Sequence, residues 1–180
     1  HFQLPPTIMD VSLNGTLGVS LFEHLMRGLP DSVMLKEQHR MNESIMAWSN
    51  EKFYRGELRA HASVAGWSIE GEEPVVFVDT AGFGLLEAAS ESDTKTGLLV
   101  AEESKLNQGE AKLALKHAEH LINERQLDPR QLAIISPYSA QVSWLRSACT
   151  IGGLEIGSMD GFQGREKDAV ILTLVRSNEA

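Results

Sequence analysis

The sequence predicts an α/β fold, a largely parallel sheet with helices on both faces, on three observations. Pro74–Asp79, Leu132–Ser136 and Ala169–Val175 are compact apolar runs rich in β-branched residues, of the kind buried within a parallel sheet. Residues 109–125 and 139–149 instead carry apolar side chains at helical spacing. Strands that alternate with helices need crossover connections, which set the strands parallel and lay the helices over the sheet.

Leu29-Pro30-Asp31 is a breaker, and Ser32 to Glu37 after it reads as a short strand. Asn42 to Tyr54 reads as a helix with Ile45, Met46, Trp48 and Phe53 on its apolar side. Pro74–Asp79 is the next strand. From Ala81 to Gly109 the chain turns to Gly, Ser, Thr and acidic residues, with Glu87, Glu91, Asp93, Glu102 and Glu103 adding charge, so an exposed, flexible insertion is expected near 81–106. The longest helix runs from Gly109 to Arg125 on Leu113, Ala114, His117, Leu121 and Ile122. Asn107 with Glu110 three residues later reads as a capping box at its start. Leu132–Ser136 is a strand, and Ser139 to Cys149 a helix with Val142, Leu145 and Ala148 inward. Leu154 to Ser158 is a short strand, and Ala169–Val175 is the last and most apolar.

At 180 residues, 42% hydrophobic and 23% charged, the chain has the size and apolar content of one globular domain with its own core. Its single cysteine, Cys149, excludes an internal disulfide framework and a multi-thiolate zinc site, and fits a reducing intracellular compartment, nuclear or cytoplasmic. No apolar run approaches the roughly 18 residues of a membrane span, so no membrane partner is expected. The start, His1-Phe2-Gln3-Leu4-Pro5-Pro6, has no initiating Met and no leader, and reads as a cut inside a longer protein. A net charge of −9 argues against a free-standing nucleic-acid-binding module. Contact with nucleic acid would use a few placed residues, with another domain supplying most of the positive field.

Ligands of open α/β sheets gather at the carboxyl ends of the strands. The polar turns after or beside the strands are therefore the ones to search: Gln38-His39-Arg40, Asp79-Thr80-Ala81-Gly82, Ser136-Pro137-Tyr138 and Ser158 to Asp168. The last is the most informative, with two glycines and the mixed donors and acceptors of Gln163, Arg165, Glu166 and Asp168 at the foot of the final strand. Arg40 beside His39 has the chemistry to grip a phosphate bidentately while the imidazole stacks on a base; the alternative is an ion pair with Glu37 or Glu43. Asp79 reads as a turn former at a strand end. His117 and His120 are spaced i, i+3 with no third ligand near in sequence, so no metal site is expected. No G-x-x-x-x-G-K-[S/T] occurs, so no phosphate-cradling loop is encoded in these residues, and no G-x-S-x-G elbow exposes a serine nucleophile. An α/β hydrolase would need that elbow.

Five segments in this order combine into a family pattern: Gln3-Leu4-Pro5-Pro6; Glu37-Gln38-His39-Arg40-Met41; Ile135-Ser136-Pro137-Tyr138-Ser139-Ala140-Gln141; Ser158 to Asp168; and Val175-Arg176-Ser177-Asn178. The chain resembles, over nearly its whole length, the second RecA-like domain of superfamily-1B helicases. That group contains the nonsense-mediated-decay helicase and the immunoglobulin-mu-binding protein 2 helicase, and Val78 to Gly82 with Ser177-Asn178 look closer to the latter. The resemblance implies a RecA-like three-layer α/β/α fold. It makes residues 1–31 a connector from the first domain with a leading helix, and 32–180 the second RecA-like domain, incomplete at its carboxyl end.

In that family two RecA-like domains clamp ATP between them while single-stranded DNA or RNA lies across both. The resemblance implies that Gln3 senses the γ-phosphate and that Arg40 supports the same phosphate. His39 stands where an aromatic ring packs on adenine. Gln163 and Gly164 approach the γ-phosphate edge, and Glu166 accepts from a ribose hydroxyl. Pro137, Tyr138, Ser158 and Asp160 line the nucleic-acid track. The pattern departs from the family in lacking the first domain, with its phosphate loop and magnesium-binding acids, and the last motif with its arginines. The expectation is half of an ATP–magnesium site in a translocating helicase, with the fragment inactive alone. The rival is a non-catalytic RecA-like interaction or regulatory module. DNA is not distinguished from RNA, because the implied contacts are to backbone and stacked bases.

Overall fold

The computed structural model describes residues 33–89, 104–162 and 164–176. The implied connector (1–31), the middle of the expected insertion (90–103) and Ser177-Asn178 lie outside the described residues. The chain divides into two compact units, one ending at Ser68 and including Glu73–Val75, the other formed by Ile69–Glu72 and the residues from Val76 onward.

In the first unit the strand expected at Ser32 to Glu37 is displaced. Residues 33–36 are irregular, with Val33 and Leu35 exposed, and β1 is Glu37–Gln38, paired parallel with β2, Arg59–Ala60. Helix α1, Glu43–Tyr54, starts where expected because Asn42 caps it: Asn42 Oδ1 accepts from Ser44 N at 2.7 Å, and its Nδ2 donates to the Trp67 carbonyl at 2.7 Å. Its predicted apolar side is a correction. Met46 is buried, but Ile45, Trp48 and Phe53 are exposed, because the inward row is Asn42, Met46 and Asn50. Asn50 holds the returning chain, bonding both the carbonyl (3.0 Å) and the N–H (2.9 Å) of Leu58. An apolar-pattern search passes over such asparagines. Arg55 in the left-handed region and Gly56 then end the helix. A short helix α2, Ala62–Ala65, follows β2, capped by His61.

The second unit holds the sheet. Strands β5 (Leu132–Ser136), β6 (Glu155–Ser158) and β7 (Ala169–Leu172) are all parallel in the order β6-β5-β7, with Ser136 opposite Ser158 and Ile134 between Ile156 and Ile171. Every residue of β5 is buried, as its continuous apolar run requires of a central strand. Helix α3 (Gln108–Asn123) and helix α4 (Ser139–Ala148) pack Ala111, Ala114, Ala118, Leu121, Val142 and Leu145 against Leu132, Ile134 and Ile156. The parallel α/β arrangement is that of a RecA-like fold, as the sequence predicts. The stripe of α3 is rotated from the expected one. Ala111 and Ala118 lie in the core while Leu113 is exposed, since alanine allows close approach and leucine tolerates the rim. In α4, Ala148 is exposed and Gln141, a polar residue, is fully buried.

Two strand expectations need correction. Residues 76–80 are irregular, and Val75, Val76, Phe77 and Val78 are all more than half exposed; β-branched composition records local preference, while a strand needs a ladder partner. Asp79 does form the expected turn, its Oδ1 accepting from Ala81 N at 2.9 Å. The ladder of β7 ends at Leu172, and Val170, Leu172 and Leu174 on its other face are exposed. Within the expected insertion, β3 (Ala88–Ala89) pairs antiparallel with β4 (Lys105–Leu106).

Candidate functional site

His39 and Arg40 follow β1 in the first unit. Their turn is shaped by Gln38, whose Oε1 accepts from the N–H of Arg40 (2.8 Å) and of Met41 (2.9 Å), while its Nε2 donates to the Met41 carbonyl at 2.7 Å. One side chain thus replaces three backbone partners and presents His39 and Arg40 outward, both exposed. The His39 ring stacks on His61 with centroids 4.2 Å apart, and its Nε2 lies 3.4 Å from Glu37 Oε1. Glu37, one of two carboxylates considered for Arg40, thus stands beside the imidazole.

The remaining described candidates belong to the second unit, and the structure separates them between the two ends of its sheet. Pro137 and Tyr138 leave the carboxyl end of β5, and Ser158 closes β6 beside them in register. Asp160 opens a single 3-10 turn, Asp160–Phe162, held by Ser158 Oγ, which accepts from Gly161 N at 3.4 Å. The chain then descends to the amino end. Phe162 lies on Gly157, where an added Cβ would come within 2.8 Å of the ring, and the Arg165 guanidinium sits over that ring at 5.6 Å. Arg165 and Lys167 both pair with Glu155, the first residue of β6; Lys167 Nζ also donates to the Arg130 carbonyl, and Asp168 N to that of Gln131, at the foot of β5. Arg165 N donates to the Phe162 carbonyl at 3.0 Å, so Gly164 (φ +80°) lies in the turn beside Phe162, whereas Glu166 stands between the two residues that pair with Glu155; both are exposed. The expected position at the foot of the final strand holds for the end of this stretch, while its start, Ser158, closes β6 at the carboxyl end. Gln3 and Gln163 lie outside the described residues.

The foot is strongly ion-paired. Arg130 donates to Asp128 from its side chain and its backbone, and with the nearby Lys167 charge holds that carboxyl down at about 2.

At the carboxyl end lies a buried polar network that sequence reasoning missed. Gln141 Oε1 accepts from Asn107 N at 2.9 Å, and its Nε2 donates to the Asn107 carbonyl (3.1 Å) and to Thr173 Oγ1 (3.0 Å). Asn107 caps α3 as expected, but Glu110 does not reach back to complete the box. Its Oε2 accepts from Thr173 Oγ1 at 3.0 Å and from Val175 N at 2.7 Å, and its Oε1 from Thr80 Oγ1 at 3.4 Å. Val175 is fully buried at φ 71°, and Arg176 N bonds back to the Leu174 carbonyl at 2.7 Å, the rare three-residue turn of positive φ. A β-branched residue in that region costs of order 1–3 kcal/mol, and the Glu110 and Asn107 contacts over-determine it. The turn delivers Arg176 to the Tyr138 hydroxyl and to Glu87, with Arg176 Nε 2.9 Å from Glu87 Oε2. The glutamine following the Ser-Pro-Tyr turn was the available signal, a polar residue on the inward stripe of a helix.

His120, weighed above as a metal ligand, is bound instead to Glu72 (2.9 Å) and Glu124 (3.1 Å), and Arg125 joins Glu72 at 2.6 Å. Hydrogen bonding to Glu72, then Glu124, raises the imidazole's pKa. Among the described residues no cluster of His, Cys, Asp and Glu is arranged to hold a metal, and no helix is long and apolar enough to cross a membrane.

Over 194 residues the chain is 41% identical to the DNA-binding protein SMUBP-2 of Rattus norvegicus, covering 99% of the chain and 18% of that relative. It is 35% identical over 202 residues to the DNA polymerase alpha-associated DNA helicase A of Saccharomyces cerevisiae, covering 98% and 28%. An uncharacterized ATP-dependent helicase of Methanocaldococcus jannaschii is 32% identical over 196 residues, with 98% and 27% covered. The chain thus spans less than a third of each of these relatives. A family model described as an AAA domain matches residues 17–180, so the chain belongs to the AAA domain family.

Proposed function

We propose that residues 32–180 are the second RecA-like domain of a superfamily-1B helicase, joined through residues 1–31 to a first such domain, and that the parent protein couples ATP hydrolysis to movement along single-stranded DNA or RNA. The observation that carries this reading is the division of one loop between two ends of the sheet. Ser158 and Asp160 sit with Pro137 and Tyr138 at the carboxyl edge, Gly164 turns the chain beside Phe162, and Glu166 stands between Arg165 and Lys167, which pair with Glu155 at the foot. A domain that converts nucleotide state into grip on a strand needs such a connection, and this one is short and anchored at both ends. The similarity to proteins named as DNA-binding and as ATP-dependent helicases supports the same reading.

In this reading the carboxyl edge is the nucleic-acid track, and the foot faces the nucleotide. Glu166 accepts from the ribose, the Gly164 backbone and Gln163 approach the γ-phosphate, Arg40 and Gln3 support that phosphate, and His39 stacks on the base. The donor chemistry fits ATP: a guanidinium for phosphate, a carboxylate for a sugar hydroxyl, an imidazole for the ring. The magnesium that accompanies ATP is assigned to acids of the first domain. Without a phosphate-cradling loop, these 180 residues alone do not turn over ATP.

The test is ATP turnover by the full-length protein with and without single-stranded oligonucleotide. Strand-stimulated turnover is expected, and Arg40→Ala should lower kcat by about 10²- to 10³-fold, the usual effect of losing one electrostatic donor to the transferring phosphoryl group. Absence of turnover in the folded full-length protein would favour the non-catalytic module. Turnover by the 180-residue chain, lost in Arg40→Ala, would overturn the assignment of half a site.

A further inference from the structure

Arg176 is absent from the set of contacts proposed above, yet the fold goes to some length to place it. Val175 before it is a buried β-branched residue at φ 71°, pinned by Glu110 through its N–H and by Asn107 through its carbonyl. Strain of this kind persists where the surroundings enforce it and clusters at working sites. The turn aims Arg176 at the carboxyl edge of the sheet, where its guanidinium meets the Tyr138 hydroxyl and Glu87. Arg176 is about half exposed, and the Glu87 oxygen 2.9 Å from its Nε makes no aligned hydrogen bond, so that contact is one an incoming anion can exchange. Carboxylate and phosphate present a guanidinium with the same two-oxygen geometry.

We infer that Arg176 is a backbone-phosphate ligand of the nucleic-acid track and that Glu87, set against its Nε, stands in for a phosphate until a strand displaces it. Tyr138 supplies the adjoining surface, its ring available for a base while its hydroxyl keeps the guanidinium in place. A strand arriving at this edge exchanges one anion for another on Arg176 and releases Glu87. The displaced carboxylate adds a repulsive element against weakly held strands, so Glu87 limits affinity while Arg176 provides it. This inference rests on the nucleic-acid reading of the carboxyl edge.

The experiment measures binding of a fluorescein-labelled oligo-thymidylate by the full-length protein, without nucleotide, across a series of salt concentrations. Arg176→Ala should weaken binding by roughly tenfold and make the plot of log K against log salt shallower by about 0.7, the loss of one phosphate contact on a single strand. Glu87→Gln, nearly isosteric, should tighten binding by about three- to tenfold. The double variant should bind like Arg176→Ala, because Glu87 acts only through Arg176. Should Arg176→Ala melt early, Arg176→Gln retains a hydrogen-bonding side chain and carries the same expectation. Unchanged or weaker binding by Glu87→Gln, an unchanged salt slope in the arginine variants, or a double variant tighter than Arg176→Ala would overturn the inference alone. A wild-type protein that binds no oligonucleotide at low salt overturns the reading of the carboxyl edge as well.

Discussion

Gln141→Leu tests whether the buried network stabilises the second unit. Glutamine and leucine are similar in size, so the substitution leaves little cavity and isolates the polar contribution. Gln141 accepts one hydrogen bond and donates two, all with fully buried or nearly buried partners. The Asn107 carbonyl still accepts from Ala111 N, and Thr173 Oγ1 still donates to Glu110, so neither is orphaned. Asn107 N–H is the group left without its partner, at a cost of about 1–3 kcal/mol for a desolvated donor. The two lost donated bonds add about 0.5–1.5 kcal/mol each, and the buried leucine returns part of this. The net expectation is a loss of about 2–4 kcal/mol, a large fraction of the roughly 5–15 kcal/mol by which domains are stable. Urea unfolding of the 180-residue chain, followed by circular dichroism with the m-value checked for constancy, reads it directly. A loss below about 1 kcal/mol at unchanged m would refute the reasoning, since it would mean that water or a relaxed backbone satisfies Asn107.

Two further outcomes follow from particular contacts. Gly157→Ala brings a Cβ to 2.8 Å from the Phe162 ring, so the ring must shift from its seat under Arg165; a loss of about 1–3 kcal/mol is expected in thermal melts, and a neutral substitution would show that the loop is not seated on β6. The Glu72–His120 contact is pH-gated from both sides. The carboxyl pKa is lowered, first by His120 and then by Arg125, so its contribution is present above 4.5 and fades as pH falls through the lower folded value. The imidazole pKa is raised, so its contribution is present below 6.5 and is lost as pH rises through the higher folded value. His120→Gln should therefore be most destabilising, relative to wild type, between those values, and a difference independent of pH would contradict the pairing.

Much of the fold was legible because it rests on local rules. Leu132–Ser136 is continuous and apolar because it is the central strand, and Asn42 and Asn107 mark helix starts by capping chemistry that needs only neighbours in sequence. What failed depends on partners distant in sequence. Val75 to Val78 has the composition of a buried strand, but composition does not create a neighbouring edge. Asn50 and Gln141 face inward because the carbonyl and N–H groups of Leu58 and Asn107 arrive from elsewhere. Glu110 looked like half of a capping box because the residues it serves, Thr173 and Val175, lie more than sixty positions on.

The candidate site shows the same division within a single motif. Residues 158–168 contain enough polar groups to suggest one binding loop, and their order says nothing of height along the sheet. Strand β6 has four residues and so spans roughly 13 Å, a distance the returning chain must cover between Ser158 and Asp168. Covering it requires anchors, and the motif spends part of its polarity on them: Ser158 on Gly161 at the top, Arg165 and Lys167 on Glu155 at the bottom, Phe162 on Gly157 between. Arg165 and Lys167 would look like phosphate ligands by charge alone, but their ion pairs and hydrogen bonds fasten the foot. Gly164 turns the chain at positive φ between these anchors, and Glu166 emerges exposed beside it. Glu155→Gln should consequently loosen the foot of the loop, read as faster amide hydrogen exchange from Arg165 to Asp168, and unchanged exchange there would refute the anchoring.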